Sequence, residues 1–482
     1  MIEFQLDYGG YDSRFLGIVL KFFSRESFDL FSQISGATPE NVIKIGNRYL
    51  LLDESKFFQF CSVSTILPHE LRHYHDSLLS PYSNMLFRLR IMSAINGSVL
   101  TNFLFQHYEL IPVPLEIWLK KPFADKSKRI AWWTKKTNID RDKLFIYPPN
   151  EVEKNINIHL KTYEAIGELV KNKNILDNEE VIIRPFQVFE ASAVITQLQN
   201  IYNVFGEQHF DGYLDSLNKS DKYTIVLTLL LSLYLQRKEN PHFVPLSAIV
   251  FWCLMGDYRT DKFKACPSYR FKNLYEYLKT HRLPSKGSNF SDFFEEWSMK
   301  LDLSRIEDSF ESILVSNEKF ENEVKNTVVK NKDTYEEFLK FLALHNLAVK
   351  EMIRIYKHDP IQYINTYEYV NNLSHWVAAP IMIEFPFNSK KFIFSIKEIE
   401  QNYNVRISKL IDKNTIDLRR AVAYEQFGGK VVFENSELNA NMFDEMVLSD
   451  FFFSKLSRDS SDFEFVRQAI LKPKNKYCPE LY

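Results

Sequence analysis

The chain has 482 residues, with 60 basic and 62 acidic side chains that leave a formal net charge of −2. An apolar share of 45% is ordinary for a globular protein, and the 41 Phe and 25 Tyr exclude disorder as a general description. The balanced charge gives no strong signal for nucleic-acid binding, because such proteins usually carry a basic excess. The 13 glycines form neither a dinucleotide fingerprint nor a phosphate-binding loop.

Two further features bear on the compartment. The N-terminal residues lack the basic and apolar regions of a signal peptide. The four cysteines are scattered and form no CxxC pair, which is typical of a reducing compartment. We therefore expect the protein to be cytoplasmic.

The first predicted elements along the chain are two strands. Residues 42–45 and 48–52 are apolar-rich segments that flank the dipeptide Gly46-Asn47. A glycine-containing pair between two such segments is a signal for a two-residue β-hairpin. We expect this hairpin to precede a helix that begins near Pro68, with the proline at the first helical position, where it loses no backbone hydrogen bond.

The motif His69-Glu70-Leu71-Arg72-His73 carries recognisable chemistry. Residues four apart lie on the same face of a helix, so both imidazoles can bind one zinc ion from one side. Glu70 follows the first histidine and would lie beside the metal, where it can take a proton from zinc-bound water. Three of the 11 histidines of the chain fall within seven residues here, a clustering that the composition does not explain.

His69-Glu70-x-x-His73 resembles the HExxH motif of the zincin metallopeptidases, and a strand before the metal helix is similar to their arrangement. The resemblance implies a zincin-like fold around this helix, Zn²⁺ as cofactor, His69 and His73 as ligands and Glu70 as catalytic base. Asp76 and Leu79 stand where the metzincin extension has glycine and histidine. The resemblance is therefore gluzincin-like, which implies a third ligand from a distant Glu on a second helix.

Glu190 is the strongest candidate for that third ligand. It is the one charged side chain among residues 185–206, a segment whose composition predicts a buried helix. A lone buried carboxylate is costly in free energy unless a cation meets it, and zinc would be that cation. The small residues 191–193 would let this helix approach a neighbour closely. The alternatives are an ion pair of Glu190 with an Arg or Lys from elsewhere in the chain, such as Arg184, and an exposed Glu190.

Asp76 is the rival carboxylate, because it follows His73 by three residues on the same helix face. It could itself bind the metal, but we expect it to hydrogen-bond the other nitrogen of a ligand imidazole and to hold that ring in place. Glu164, on a helix rich in lysine, is a weaker alternative ligand. His75 points away from the ligand pair and is expected to pack or to face solvent.

The rest of the chain predicts a mainly α protein with small β elements (α+β). Residues 223–236 and 243–256 are uncharged stretches shorter than the ~20 residues that a membrane span needs, so we predict buried helices and no span. Residues 334–353 join a capping-box pattern to an apolar periodic run. Residues 381–385 and 392–396 form a second candidate strand pair, which predicts a small sheet.

The segment 284–289 has the composition of a linker and suggests a domain boundary. Residues 1–284 would form a zincin-like catalytic domain. Residues 290–482 would form a helical accessory domain with a small sheet, which recognises the substrate or a partner.

These observations predict an intracellular zinc metallopeptidase that cleaves a restricted protein or peptide substrate by Glu-assisted attack of zinc-bound water. Zinc-dependent hydrolysis of a different bond is compatible with the same motif. The alternative from another class is a non-catalytic regulatory or binding protein with a degenerate HExxH helix. The oligomeric state is not indicated by any pattern in the chain.

Overall fold

The computed structural model describes residues 9–12, 17–22, 24–35, 37, 39–52, 54–146, 150–176, 181–206, 221–238, 242–259, 261–326, 332–377, 379–385, 390–392, 410–411, 422–423, 446, 448–450 and 452–453. Helices dominate these residues, and short strands form one six-stranded and one two-stranded sheet. The predicted class, mainly α with small β elements, is confirmed.

The longer helices alternate with short connections along the chain. In chain order the helices are α1 (Arg25–Ser35), α2 (Pro39–Leu50), α3 (Glu54–Leu79), α4 (Pro81–His107), α5 (Leu115–Lys120), α6 (Phe123–Thr137), α7 (Asn150–Lys171), α8 (Pro185–Phe205), α9 (Asp221–Gln236), α10 (Phe243–Leu254), α11 (Pro267–Leu278), α12 (Phe290–Leu301), α13 (Ile306–Asn326), α14 (Lys332–His358), α15 (Pro360–Ile364) and α16 (Thr366–Asn371). The strands are β1 (Gly9–Asp12), β2 (Gly17–Lys21), β3 (Asn174–Leu176), β4 (Val181–Ile183), β5 (Pro380–Phe385), β6 (Lys390–Phe392), β7 (Leu410–Ile411) and β8 (Val422–Ala423).

The predicted hairpin at 42–52 is wrong, because these residues belong to helix α2. Pro39 is the first residue of that helix, a position where proline is favoured. Gly46 is not a turn residue but a buried contact point. A Cβ atom there would lie 2.9 Å from the ring of Phe205 and 3.0 Å from that of Phe60. The glycine therefore allows α2 to approach two aromatic rings closely. In the sequence, a glycine required for such packing looks the same as a glycine required for a turn.

Helices α3 and α8 pack against each other in antiparallel orientation. Near the start of α3 the ring of Phe57 meets that of Phe205 with centroids 4.9 Å apart. Towards its end Arg72 Nε donates to Ser192 Oγ at 2.9 Å. Ser192, the middle one of the small residues 191–193, makes this contact, and all three are buried.

Pro68 lies inside α3 and not at its first position, which corrects the expected start of the metal-motif helix. A proline inside a helix has no N–H to donate to the carbonyl four residues earlier, here that of Ser64. Asn200 of α8 donates to that carbonyl through Nδ2 at 3.3 Å. The neighbouring helix thus provides the hydrogen bond that the proline removes, and α3 continues without a break to Leu79.

The larger sheet joins the two ends of the described chain. β1 pairs with β2 in antiparallel orientation, and β2 pairs in parallel with β5, with Ile18 opposite Ile381. The second predicted strand pair is confirmed as far as it is described, because β5 and β6 are antiparallel with Ile383 opposite Phe392. Residues 393–396 of that prediction lie outside the described residues.

The hydrophobic core runs through both halves of the sequence. One cluster of buried apolar side chains includes Phe60 and Val188 as well as Trp297 and Trp376. The predicted boundary at 284–289, a loop between α11 and α12, stays a prediction. The two uncharged stretches form buried helices α9 and α10 as expected. Among the described helices, none has the length and apolar character that a bilayer crossing needs.

Candidate metal centre

Three of the sequence-predicted site residues converge from α3 and α8. His69 and His73 lie one turn apart on α3, and their ring centroids are 4.8 Å apart. The Nε2 atom of His69 lies 3.7 Å from one carboxylate oxygen of Glu190, and that of His73 lies 3.5 Å from the other. One ligand atom from each of the three residues lies within 4.8 Å of the other two.

Two of the three separations between candidate ligand atoms are close to those around a zinc ion, and the group as a whole spans up to 4.8 Å. Ligands at about 2.0–2.1 Å from a tetrahedral zinc ion lie about 3.3 Å from one another. The distances of 3.5 and 3.7 Å from Glu190 to the two imidazoles exceed that value by only a few tenths of an ångström. Two imidazoles and a carboxylate are also a ligand set of catalytic zinc sites, which leave one position open.

The electrostatics of the site favour a cation at Glu190. Burial by itself would lower the pKa of His73, but the carboxylate of Glu190 and then that of Glu70 outweigh this effect and raise the pKa to about 9. Burial and repulsion from His73 lower the pKa of His69 to about 4. Without metal, the Glu190 carboxylate thus favours a proton on His73. Zinc would take the place of that proton, because metal binding requires neutral imidazoles.

Glu70 is buried and lies under strand β1. The strand approaches α3 so closely at Gly9 that a Cβ atom there would lie 3.2 Å from Cγ of Glu70. The Glu70 carboxylate contributes to the raised pKa of His73, which means that it lies near the candidate ligands. The strand that packs beside the helix of the metal motif is therefore β1. The hairpin expected at 42–52 does not take this place.

Asp76 has a different role from the one predicted. Its carboxylate accepts a hydrogen bond from Tyr363 Oη at 2.6 Å and one from Arg72 Nε at 3.2 Å. Among the described residues it makes no hydrogen bond to His69 or His73. Arg72 and Asp76 are both fully buried, and the guanidinium lies 4.1 Å from the Tyr363 ring centroid. Asp76 is therefore the counter-charge of a buried cation.

His75 belongs to the same buried layer and packs as expected. Its Nε2 lies 2.7 Å from the carbonyl oxygen of Val377 and must donate to it, because a carbonyl only accepts. Its Nδ1 therefore accepts from the hydroxyl of Tyr369 at 2.7 Å. Burial lowers the pKa of His75 to about 3, so the ring stays neutral. The layer fixes α3 from the side of α15 and α16.

Sequence reasoning missed Gln197, which takes the place predicted for Asp76. Its Oε1 lies 3.1 Å from Nδ1 of His69. Gln197 follows Glu190 by seven residues, and two helical turns bring both onto the same face of α8. That spacing was the signal available in the sequence, but an uncharged glutamine among other amides does not stand out.

The chain has no significant match to any of the protein-family models, curated proteins or solved structures with which it was compared. The zincin resemblance therefore depends on the five-residue motif and on the geometry of the residues around it.

Replacing Glu190 with glutamine tests the third ligand. Glu190→Gln should weaken zinc binding about 100-fold, equivalent to about 2.7 kcal/mol, because a neutral amide replaces an anionic ligand. Competition with a chromophoric chelator measures the affinity. Glu164→Gln, on the exposed face of α7, is the control and should leave the affinity unchanged. Equal zinc affinity of the two variants would remove Glu190 from the ligand set.

Replacing Asp76 with asparagine tests its structural role. Asp76→Asn should lower the free energy of unfolding of the metal-free protein by about 3–5 kcal/mol, because buried Arg72 loses its counter-charge. Urea unfolding measures this change. Asp302→Asn removes the carboxylate from an exposed ion pair with Lys264 and should have little effect. Similar unfolding midpoints for the two variants would contradict the assigned role.

Proposed function

We propose that this protein is a zinc-dependent hydrolase, and specifically a metallopeptidase that acts on a restricted protein or peptide substrate. The observation that carries the proposal is the convergence of His69, His73 and Glu190, with the carboxylate of Glu70 close enough to act on the charge of His73. The side chains of the three candidate ligands are 16%, 10% and 22% exposed. This partial exposure supports a site that is held by the protein and still open to water and substrate.

Each side chain has a distinct task in this proposal. Zinc bound here would polarise the scissile carbonyl and make a water molecule more acidic. The carboxylate of Glu70 would accept a proton from the attacking water and deliver it to the leaving amine. Its burial supports this role, because few water molecules compete for the carboxylate oxygens. Glu190 would supply the negative charge that the two neutral imidazoles lack.

The decisive experiment combines metal analysis with a change of the base. Purified protein should contain about one zinc per chain, as expected for one three-ligand site. Glu70→Gln should keep that zinc and the fold but lower peptide hydrolysis on the order of 10³-fold or more, because only the proton acceptor is removed. Profiling wild type and variant against a peptide library measures this loss and reports the preferred sequence.

The outcomes separate the competing functions. Absence of zinc after supplementation would support the non-catalytic regulatory alternative with a degenerate HExxH helix. Zinc without peptide cleavage, but with Glu70-dependent hydrolysis of ester or amide probes, would indicate a different bond as substrate. Near-normal peptide hydrolysis by Glu70→Gln would exclude Glu70 as the base.

The contact between β1 and Glu70 gives a second test of the base. In Gly9→Ala the new methyl group would lie 3.1 Å from Ile66 Cδ1 and 3.2 Å from Glu70 Cγ, so these side chains or β1 itself must give by a few tenths of an ångström. We expect kcat to fall on the order of tenfold with zinc content unchanged, because small errors in position weaken proton transfer. Gly10→Ala is the matched control, since a Cβ at Gly10 has no neighbour within 4 Å. Equal kcat values for the two variants would show that β1 does not position Glu70.

A further inference from the structure

Gln197 connects both helices of the candidate metal centre at one point. Its side chain is buried and lies between two residues of α3 that are one turn apart, Thr65 and His69. The amide Nε2 donates to Thr65 Oγ1 at 3.0 Å, and Oε1 faces Nδ1 of His69 at 3.1 Å. The three side chains thus form a hydrogen-bonded row along the contact between α3 and α8.

The hydrogen bond from Thr65 to the backbone sets the direction of the other hydrogen bonds in this row. The hydroxyl of Thr65 donates to the carbonyl oxygen of Cys61 at 2.7 Å, so its oxygen is free to accept from the amide of Gln197. The reversed amide would direct its carbonyl oxygen at Thr65. The hydroxyl would then have to leave Cys61 in order to donate to Gln197, and one buried hydrogen bond would be lost. The amide therefore presents Oε1 to His69.

An acceptor at this position dictates the tautomer of His69. Because Oε1 of Gln197 only accepts, Nδ1 of His69 must carry the proton and donate it. A neutral imidazole with a proton on Nδ1 has its lone pair on Nε2. Nε2 is the atom of His69 that lies 3.7 Å from the carboxylate of Glu190.

We infer that Gln197, oriented by Thr65, holds the metal-free His69 in the tautomer whose Nε2 lone pair is directed at the zinc position. Gln197 is a positioning residue, since it acts through His69 and touches no reacting atom. This inference deepens the proposed function and rests on its zinc site. It also assigns the orienting task to a neutral amide, which adds no negative charge beside the carboxylates of Glu70 and Glu190.

The tautomer can be measured without metal and without a substrate. In metal-free protein labelled with ¹⁵N-histidine at neutral pH, the shifts of the two ring nitrogens distinguish the protonated from the unprotonated atom. The His69 signals are assigned by their loss in His69→Gln. We expect Nδ1 to be the protonated nitrogen in the wild type. A wild-type ring with its proton mainly on Nε2 would overturn the inference.

The effect of replacing Gln197 on zinc affinity is compared with the effect of replacing a matched glutamine. Gln197→Leu should weaken zinc binding about 10–100-fold, because the imidazole loses the partner that holds it. Gln199→Leu is the control: Gln199 lies on the same helix and is equally buried, but it accepts from Thr366 Oγ1 and does not touch His69. Equal zinc affinity of the two variants would overturn the inference.

Changes at Thr65 keep the test valid if Gln197→Leu does not fold. Thr65→Val removes the hydroxyl that orients the amide but leaves Gln197 in place, so both His69 tautomers should appear and zinc affinity should fall. Thr65→Ser retains the hydroxyl and should restore both properties to the wild-type level. Identical tautomer populations in the two Thr65 variants would contradict the inference.

These readouts also separate this inference from the proposed function. If the protein hydrolyses no substrate while the tautomer and zinc results are as expected, the proposed function fails and the role of Gln197 stands. If hydrolysis depends on Glu70 but His69 carries its proton on Nε2, the proposed function stands and the role of Gln197 fails.

Discussion

The close antiparallel packing of α3 on α8 is the constraint on which the candidate site depends. Neither helix alone can surround a metal ion, because α3 offers two imidazoles on one face and α8 offers one carboxylate. Their contact brings His69 within hydrogen-bond distance of Gln197, which is 128 residues later in the chain. The small Ser192 lies in this contact, and the rings of Phe57 and Phe205 meet at one end of it. The ligand geometry is therefore a consequence of helix packing.

The same contact carries polar groups that stabilise α3 where its sequence is unfavourable. Pro68 interrupts the backbone hydrogen bonds just before the metal motif, and Asn200 of α8 supplies the missing donor. Arg72 lies inside the motif as a buried cation, and Asp76 and Tyr363 compensate it. Buried charges of this kind are tolerated when a counter-charge and hydrogen bonds accompany them. The helix that presents the two histidines is thus fixed on several sides.

Residues beyond position 290 take a direct part in this support. Tyr363 and Tyr369 enclose the guanidinium of Arg72, and the carbonyl oxygen of Val377 fixes the ring of His75. In the sequence these residues belong to the segment for which an accessory role was predicted. In the structure they pack against the buried side chains of Arg72 and His75 on α3. Substitutions in this segment would therefore affect α3 through a single layer of buried side chains.

The sequence by itself determined the parts of the site that depend on local periodicity and on the cost of burying charge. The four-residue spacing placed His69 and His73 on one face, and the lone charge of an apolar helix singled out Glu190. Only the tertiary structure decided the meaning of Gly46 and the partners of Asp76 and Gln197. The sequence does not distinguish a glycine in a turn from a glycine packed under an aromatic ring. A carboxylate accepts hydrogen bonds from whichever donors the packing places next to it. Such contacts join residues far apart in the chain, so no local pattern encodes them.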